Sequence, residues 1–574
     1  MTPVRVGGTR AAASRTLAVS IALGGLWALG ACQPDVGGGG NMAGSGGPTG
    51  SGGSGNPGTG GGAGPGSGGA PPGFTLECAK PNPGSPSLRL FTRGELEATL
   101  GDIFPEVKGQ WSSGLPANQL SDFGFDNDAS VSVGKQLSGA LIDTALSVAT
   151  AVTGAPLANL LPCSSTTADR ACAEQFLTKY GKRLFRRTVT PAEHDRYLAF
   201  FDASKTKSDF KTALKWMAVG LIQSPNAIYR SEIGAASSDG TRQLTPFEVA
   251  SSLSYTYTGT TPTADLLAKA EAGNMGDLLA LAEGMLATEQ GKLMVQRFFE
   301  GYLDYTSVSS VQRPGVPNFN SVAPQMAQET RAFINDVVLA KGGGLKQLLT
   351  ATTTNPSQGL AAYYGFPAPA GDYAAVTRPA GRGIGILAQG AFLTTHASPD
   401  SSSPTRRGLF PYLHLLCEKK LSPPPNVPQI SAPQPGQKTT RQRYEDVHVK
   451  MGGACAACHQ RFDPIGFGFE HFDEGGRYRE TEGGLAIDAS GKVTKGDGTV
   501  LFTFNGQEEL VTSLANQPVI HQCMAAYLAT FAFGSSEACL GASKVADLQA
   551  GTIGIAEAFA QLAAEPHFTK RNAQ

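Results

Sequence analysis

Cys455-Ala456-Ala457-Cys458-His459 is the one run of this 574-residue chain whose residue types and spacing carry a definite chemistry. Two thiols three positions apart, followed at once by an imidazole, suit covalent attachment of haem. Each cysteine sulfur adds to one vinyl group, and a short turn brings the His459 ring beneath the iron as an axial ligand. The spacing therefore predicts Cys455, Cys458 and His459 as cofactor-binding residues. His459 is the expected metal ligand, and one covalent haem c with its iron is the expected cofactor. A thioredoxin-like redox pair and half of a zinc site are the competing readings. The first lacks a βαβ setting, and the second lacks a nearby second pair of ligands.

No second axial ligand stands out. Met451, His471, His521 and Met524 are near in sequence, with His396 and His448 further off. His521 and Met524 fall in an apolar helical stretch where packing is the plainer role. His471 reads as a surface histidine. An iron without a sixth protein ligand is open to small molecules. Asp463, Asp473, Glu474 and Asp488 match no calcium-loop spacing and read as turn-forming acids. The chain contains no Gly-x-Ser-x-Gly, His-Glu-x-x-His or Gly-x-x-x-x-Gly-Lys, so no catalytic residue can be named.

Haem of this type is attached outside the cytoplasm, and the N-terminus carries a matching address. Arg5, Arg10 and Arg15 precede the apolar run Leu17–Leu29, as in a secretory signal peptide. Leu29-Gly30-Ala31-Cys32 resembles a bacterial lipobox, with Cys32 as the lipidated residue; an ordinary cleaved signal is the alternative. Gln33 follows, not the aspartate associated with inner-membrane retention, which points to the outer membrane. Twenty of the 73 glycines fall in the 39 residues Asp35–Gly73, among Ser, Pro, Thr and Asn. Such a segment cannot bury enough surface to order itself, and as a coil it reaches roughly 35 Å. It is a spacer.

Nine cysteines are present. Without Cys32 and the pair Cys455/Cys458, six remain in an oxidising compartment. Proximity favours Cys163–Cys172 and Cys523–Cys539, which leaves Cys78–Cys417 by elimination. A net charge of −1 leaves no electrostatic footprint for nucleic acid.

The elements that must position the motif are mainly helical. Leu88–Leu100 opens with Thr92 and Glu95 in a capping-box arrangement. Lys135–Val152, Ala173–Phe185, Pro191–Phe201, Phe210–Ser224, Thr245–Gly259, Thr263–Ala272, Met275–Thr288 and Lys292–Tyr305 follow at helical spacing. Ala327–Leu339 and Gly385–Leu393 also read as helices. The proline run Leu421–Pro428 is a stiff spacer, and a helix at about Arg441–Met451 leads into the motif. Gly- and Asp-rich turns then run to Gly506. Gln507–Ala515 and Val519–Phe533 close the chain, with a weaker helix at Val545–Ala563.

The chain resembles the planctomycete-type cytochrome C-like family, secreted proteins built of consecutive domains of unknown function. Leu88–Leu96 is similar to its opening helix, Gly124–Asp128 to the phrase that follows, and Arg183–Thr190 to its Arg-Arg junction. Leu244–Tyr255 is similar to its central signature and Ser403–Gly408 to the segment before the haem motif. Cys455–Gly466, Gly468–Arg477, Ile487–Gly491 and Gln517–Gly534 complete the order. Many members carry methionine where this chain has Phe462, which cannot ligate iron.

These readings converge on a mainly α protein: a multi-helix body, a small c-type cytochrome-like haem segment and a closing helical domain. The divisions are 1–31 signal peptide, 32–77 lipid-anchored linker, 78–162, 163–233 and 234–375 helical domains. Then come 376–480, holding the proline-rich segment and the haem motif, and 481–574, the closing domain. The expected function is that of an envelope-anchored cytochrome moving electrons to or from an extracytoplasmic partner. A non-enzymatic surface binding or scaffold lipoprotein is the alternative. A haem-dependent oxidative enzyme acting on extracellular organic or polymeric substrates is a further one.

Overall fold

The computed structural model describes residues 82–154, 170–419, 430–434, 436–450, 452–535, 547 and 550–573. The signal peptide, Cys32, the Gly-rich spacer, the proline run Leu421–Pro428, Met451 and Cys78, Cys163 and Cys539 lie outside the described residues. Within them the protein is mainly α, with short antiparallel strands.

Local signals set the helix starts. Thr92, Thr190 and Thr245 each accept a bond from the backbone N–H three residues on. Glu95, Glu193 and Glu248 reach back to the cap N–H, which satisfies the donors a helix start leaves open. Leu88–Leu90 is not helical, however. Ser87–Leu90 forms a strand paired antiparallel to Tyr229–Glu232, and the helix runs Arg93–Ile103. The extended backbone of Thr92 divides the two. The pattern misleads here because the buried side chain of the strand is Arg89, while Leu88 faces out.

Two large cores organise the described residues. Helices Arg93–Ile103, Lys135–Gly154, Pro191–Lys205 and Phe210–Ile222 pack around the first, with Phe104, Phe176, Tyr180 and Phe201 in its centre. Lys135–Gly154 is long and apolar enough to cross a membrane by length and composition. Its Leu141, Ala145, Val148 and Val152 face are part of this core instead. The second, larger core draws on Phe125 and on residues from Leu244 to Phe568, and takes in Phe462, Ile465 and the helix Pro518–Phe533. The end of the chain returns to the middle: strand Lys570–Asn572 pairs with Thr241–Gln243.

A buried charge cluster ties those distant strands together. Glu232 faces Arg89, Arg230 and Arg571, and all four residues are nearly inaccessible. Burial pushes the Glu232 carboxyl up, but the three guanidinia outweigh it and hold the group far below the usual range.

The disulfide expectation needs correction. Cys523 is bonded to Cys417, 106 residues away with 5.5 Å between Cα atoms, and not to Cys539; Cys417 is therefore not the partner of Cys78. The reason is helical. Cys523 lies in the second turn of Pro518–Phe533, on the face packed against the Pro411–Leu415 turn. The end of that helix is ten residues, or roughly 15 Å, further along. Cys172 is disulfide-bonded, and Cys163 lies outside the described residues.

Candidate metal and haem site

The motif lies on a regular helix, Gly453–Gly466, and not on the short turn the sequence suggested. On a helix, residues four apart share a face. That geometry aligns Cys455, His459 and Asp463 in one stripe, with Cys458 and Phe462 in the next. Neither Cys455 nor Cys458 is in a disulfide, and both are partly exposed. His459 is buried at 2% exposure.

A second helix, Pro404–Phe410, crosses the first at backbone contact. A Cβ on Gly408 would overlap the carbonyl of Phe462, and one on Gly466 would overlap the carbonyl of Pro404. Only glycine permits that approach. It places Thr405 over the motif helix, where its hydroxyl donates to Asp463 Oδ1 at 2.7 Å. Arg407 locks the crossing. Its buried guanidinium donates to the carbonyls of Leu393, Phe469, Phe472 and Asp473. Burial lowers its pKa to about 10, still far above neutrality.

The third wall is Thr440–Tyr444, which continues as a π-helical turn over Glu445–Val449. The extra residue in that turn is the kind of irregularity found at functional sites. It carries His448 to Asp463, where Nδ1–H donates to Oδ2 at 2.7 Å. His459 Nδ1–H donates to the same carboxylate at 3.1 Å. The two imidazoles are stacked, with ring centroids 3.5 Å apart and planes 28° apart.

Asp463 thus accepts from Thr405, His448 and His459 while 1% exposed. Burial pushes its carboxyl up, and the bonds from the two histidines more than offset this, holding it below the usual value. It is not the turn-forming acid expected. Asp473 and Asp488 are: they accept from the backbone N–H groups of Gly475 and Arg477, and of Ser490. The i,i+4 spacing of His459 and Asp463 on one helix was the signal that could have found Asp463. Among the described residues, His448, His459 and Asp463 form a group of His, Cys, Asp and Glu close enough to hold a metal ion.

The remaining candidates lie on other elements. His471 stacks on Tyr478 and bonds the Arg479 carbonyl. His521 and Met524 are buried in Pro518–Phe533, and Met524 belongs to the larger core. His396 lines a cavity of about 810 Å³ with His414, Tyr302 and Phe410. Burial lowers its pKa to about 4, so it is neutral at pH 7.

The donor set fits haem c. Two unbridged thiols lie one turn apart beside a buried imidazole whose Nδ1 is held by a carboxylate, and such a bond fixes the tautomer and ring orientation of a ligating histidine. His448 Nε2 is buried in the same wall without a hydrogen-bond partner, a polar atom that an added group would satisfy.

Three family models match the chain. Residues 172–232 match PSD5, a protein of unknown function (DUF1595), and residues 244–366 match PSD4, a protein of unknown function (DUF1592). Residues 382–482, which contain every residue of the site, match PSCyt3, a protein of unknown function (DUF1588). No curated protein and no solved structure matches the chain. Along the chain the three matched stretches follow one another, so most of residues 172–482 is a succession of domains similar to these families of unknown function.

Proposed function

We propose that the protein is an envelope-anchored c-type cytochrome carrying one covalent haem and exchanging electrons with an extracytoplasmic partner. One observation carries the reading: Cys455, Cys458 and His459 are presented on a single helix, the thiols unbridged and the imidazole oriented by Asp463. Cys455 and Cys458 would hold the haem through thioethers and His459 would ligate its iron. When bound, the haem supplies one-electron chemistry. The chain's own part is to keep the His459 ring in one tautomer, to exclude water from its Nδ1 edge with Thr405 and His448, and to clamp the motif helix against Pro404–Phe410. The signal sequence, the lipobox at Cys32 and the Gly-rich spacer support placement on the envelope, on the outer membrane.

The test is expression with the native signal in a host that attaches haem c. A Soret band that survives acid–acetone extraction, and that is lost in Cys455→Ala/Cys458→Ala, supports the reading. A colourless protein overturns it. Stoichiometric zinc or iron in such a colourless protein would assign His448, His459 and Asp463 to a metal centre without haem.

A further inference from the structure

We propose that Asp463 is a positioning residue that makes His459 a stronger electron donor to iron and thereby gives the bound haem a low reduction potential. This rests on the haem reading above. The geometry is specific. Asp463 lies one turn beyond His459, is 1% exposed, and meets His459 Nδ1 with both oxygens, at 3.1 and 3.2 Å. A carboxylate accepting from Nδ1–H draws the proton toward itself and leaves the ring partly anionic, which raises the basicity of Nε2. A more basic axial ligand stabilises the ferric over the ferrous state, and second-shell hydrogen bonding and burial are established levers on haem potential. Burial removes the water that would otherwise screen the carboxylate.

The other two partners hold that carboxylate still. Thr405 donates to Oδ1 and His448 to Oδ2, so rotation of Asp463 would break two short bonds at once. His448 serves here and not as the opposite axial ligand. Two axial imidazoles point nitrogen to nitrogen across an iron, whereas His448 and His459 lie face to face with Nδ1 edges on the same acid. Tyr444, edge-on to His448 at 5.2 Å and bonded through its hydroxyl to Ser403, braces it from behind.

The experiment compares full-length wild type, Asp463→Asn and Thr405→Val, each produced with haem attachment, by potentiometric titration alongside covalent haem content. Asp463→Asn keeps an acceptor but removes the charge. The midpoint potential is expected to rise, with haem content retained, and Thr405→Val is expected to raise it less. A purely structural Asp463 would change stability and leave the potential where it was. Unchanged potentials in the loaded variants overturn the proposal while the haem reading stands. A wild type without covalent haem overturns both. If Asp463→Asn does not fold, Thr405→Val decides, and an unchanged potential there counts against it.

Discussion

Position 462 shows how far one side chain can be read. Phe462 cannot ligate iron, and its ring packs edge-on to His459 at 5.0 Å and to Tyr412 at 5.9 Å. It is three residues beyond His459 on one helix, so it lies on the same side of any ring plane that His459 would face. Phe462→Met is therefore expected to bring no sulfur-to-iron charge-transfer band to the ferric spectrum and to cost less than about 1.5 kcal/mol, because the two residues are similar in volume. Appearance of that band would show that methionine reaches iron from this position. Asp463, its neighbour, reads from sequence alone as a turn former because aspartate is a common turn residue. Its role depends on His448, fifteen residues back, and on Thr405, 58 residues back.

Among the elements, the crossing of Pro404–Phe410 with Gly453–Gly466 decides whether the site exists. Gly408→Ala places a methyl group against backbone, which cannot rotate away as a side chain could. The helices must separate, at a cost of about 1–3 kcal/mol. Thermal unfolding should show the loss, and covalent haem yield should fall with it because Thr405 leaves Asp463. Normal stability and haem yield would show that the two helices accommodate the added methyl group and that the close crossing does not control the site. The Cys417–Cys523 bridge secures the other end of the same assembly. Closing so long a stretch of chain restricts the unfolded state, and its removal by Cys417→Ser/Cys523→Ser is expected to cost about 2–5 kcal/mol in denaturant titrations. Peptide mapping without reduction should recover Cys417 linked to Cys523. A Cys523–Cys539 peptide would contradict the fold around that helix.

Across the whole molecule, Glu232 and its three arginines join the opening strand, the central strand and the last strand of the chain. Glu232→Gln leaves Arg89, Arg230 and Arg571 buried without their counter-ion, a loss of about 3–5 kcal/mol at pH 7. The pH dependence has a definite sign. The folded carboxyl is held below its unfolded value of 4.5, so its contribution is complete above pH 4.5 and is lost as pH falls toward the folded value. Denaturation curves at pH 7 and pH 3 should show the gap between wild type and variant narrowing in acid. A gap that stays constant would remove the Glu232 charge as its cause.

What the sequence determined by itself was local. Capping boxes at Thr92, Thr190 and Thr245, helical spacing of apolar residues, and the run Cys455–His459 are all patterns within a few residues, and hydrogen bonds within one turn enforce them. They specified a mainly α chain and a motif with one imidazole and two thiols. Tertiary structure decided what those thiols and that imidazole face. The Arg89 strand formed because Glu232, 143 positions away, draws a guanidinium inward. Cys523 took its partner from the helix face it shares, not from its nearest cysteine. His448 and Thr405 reached Asp463 because a π turn and two glycines let three helices converge. Buried charge and close packing draw their partners from anywhere in the chain, so no window of sequence contains them.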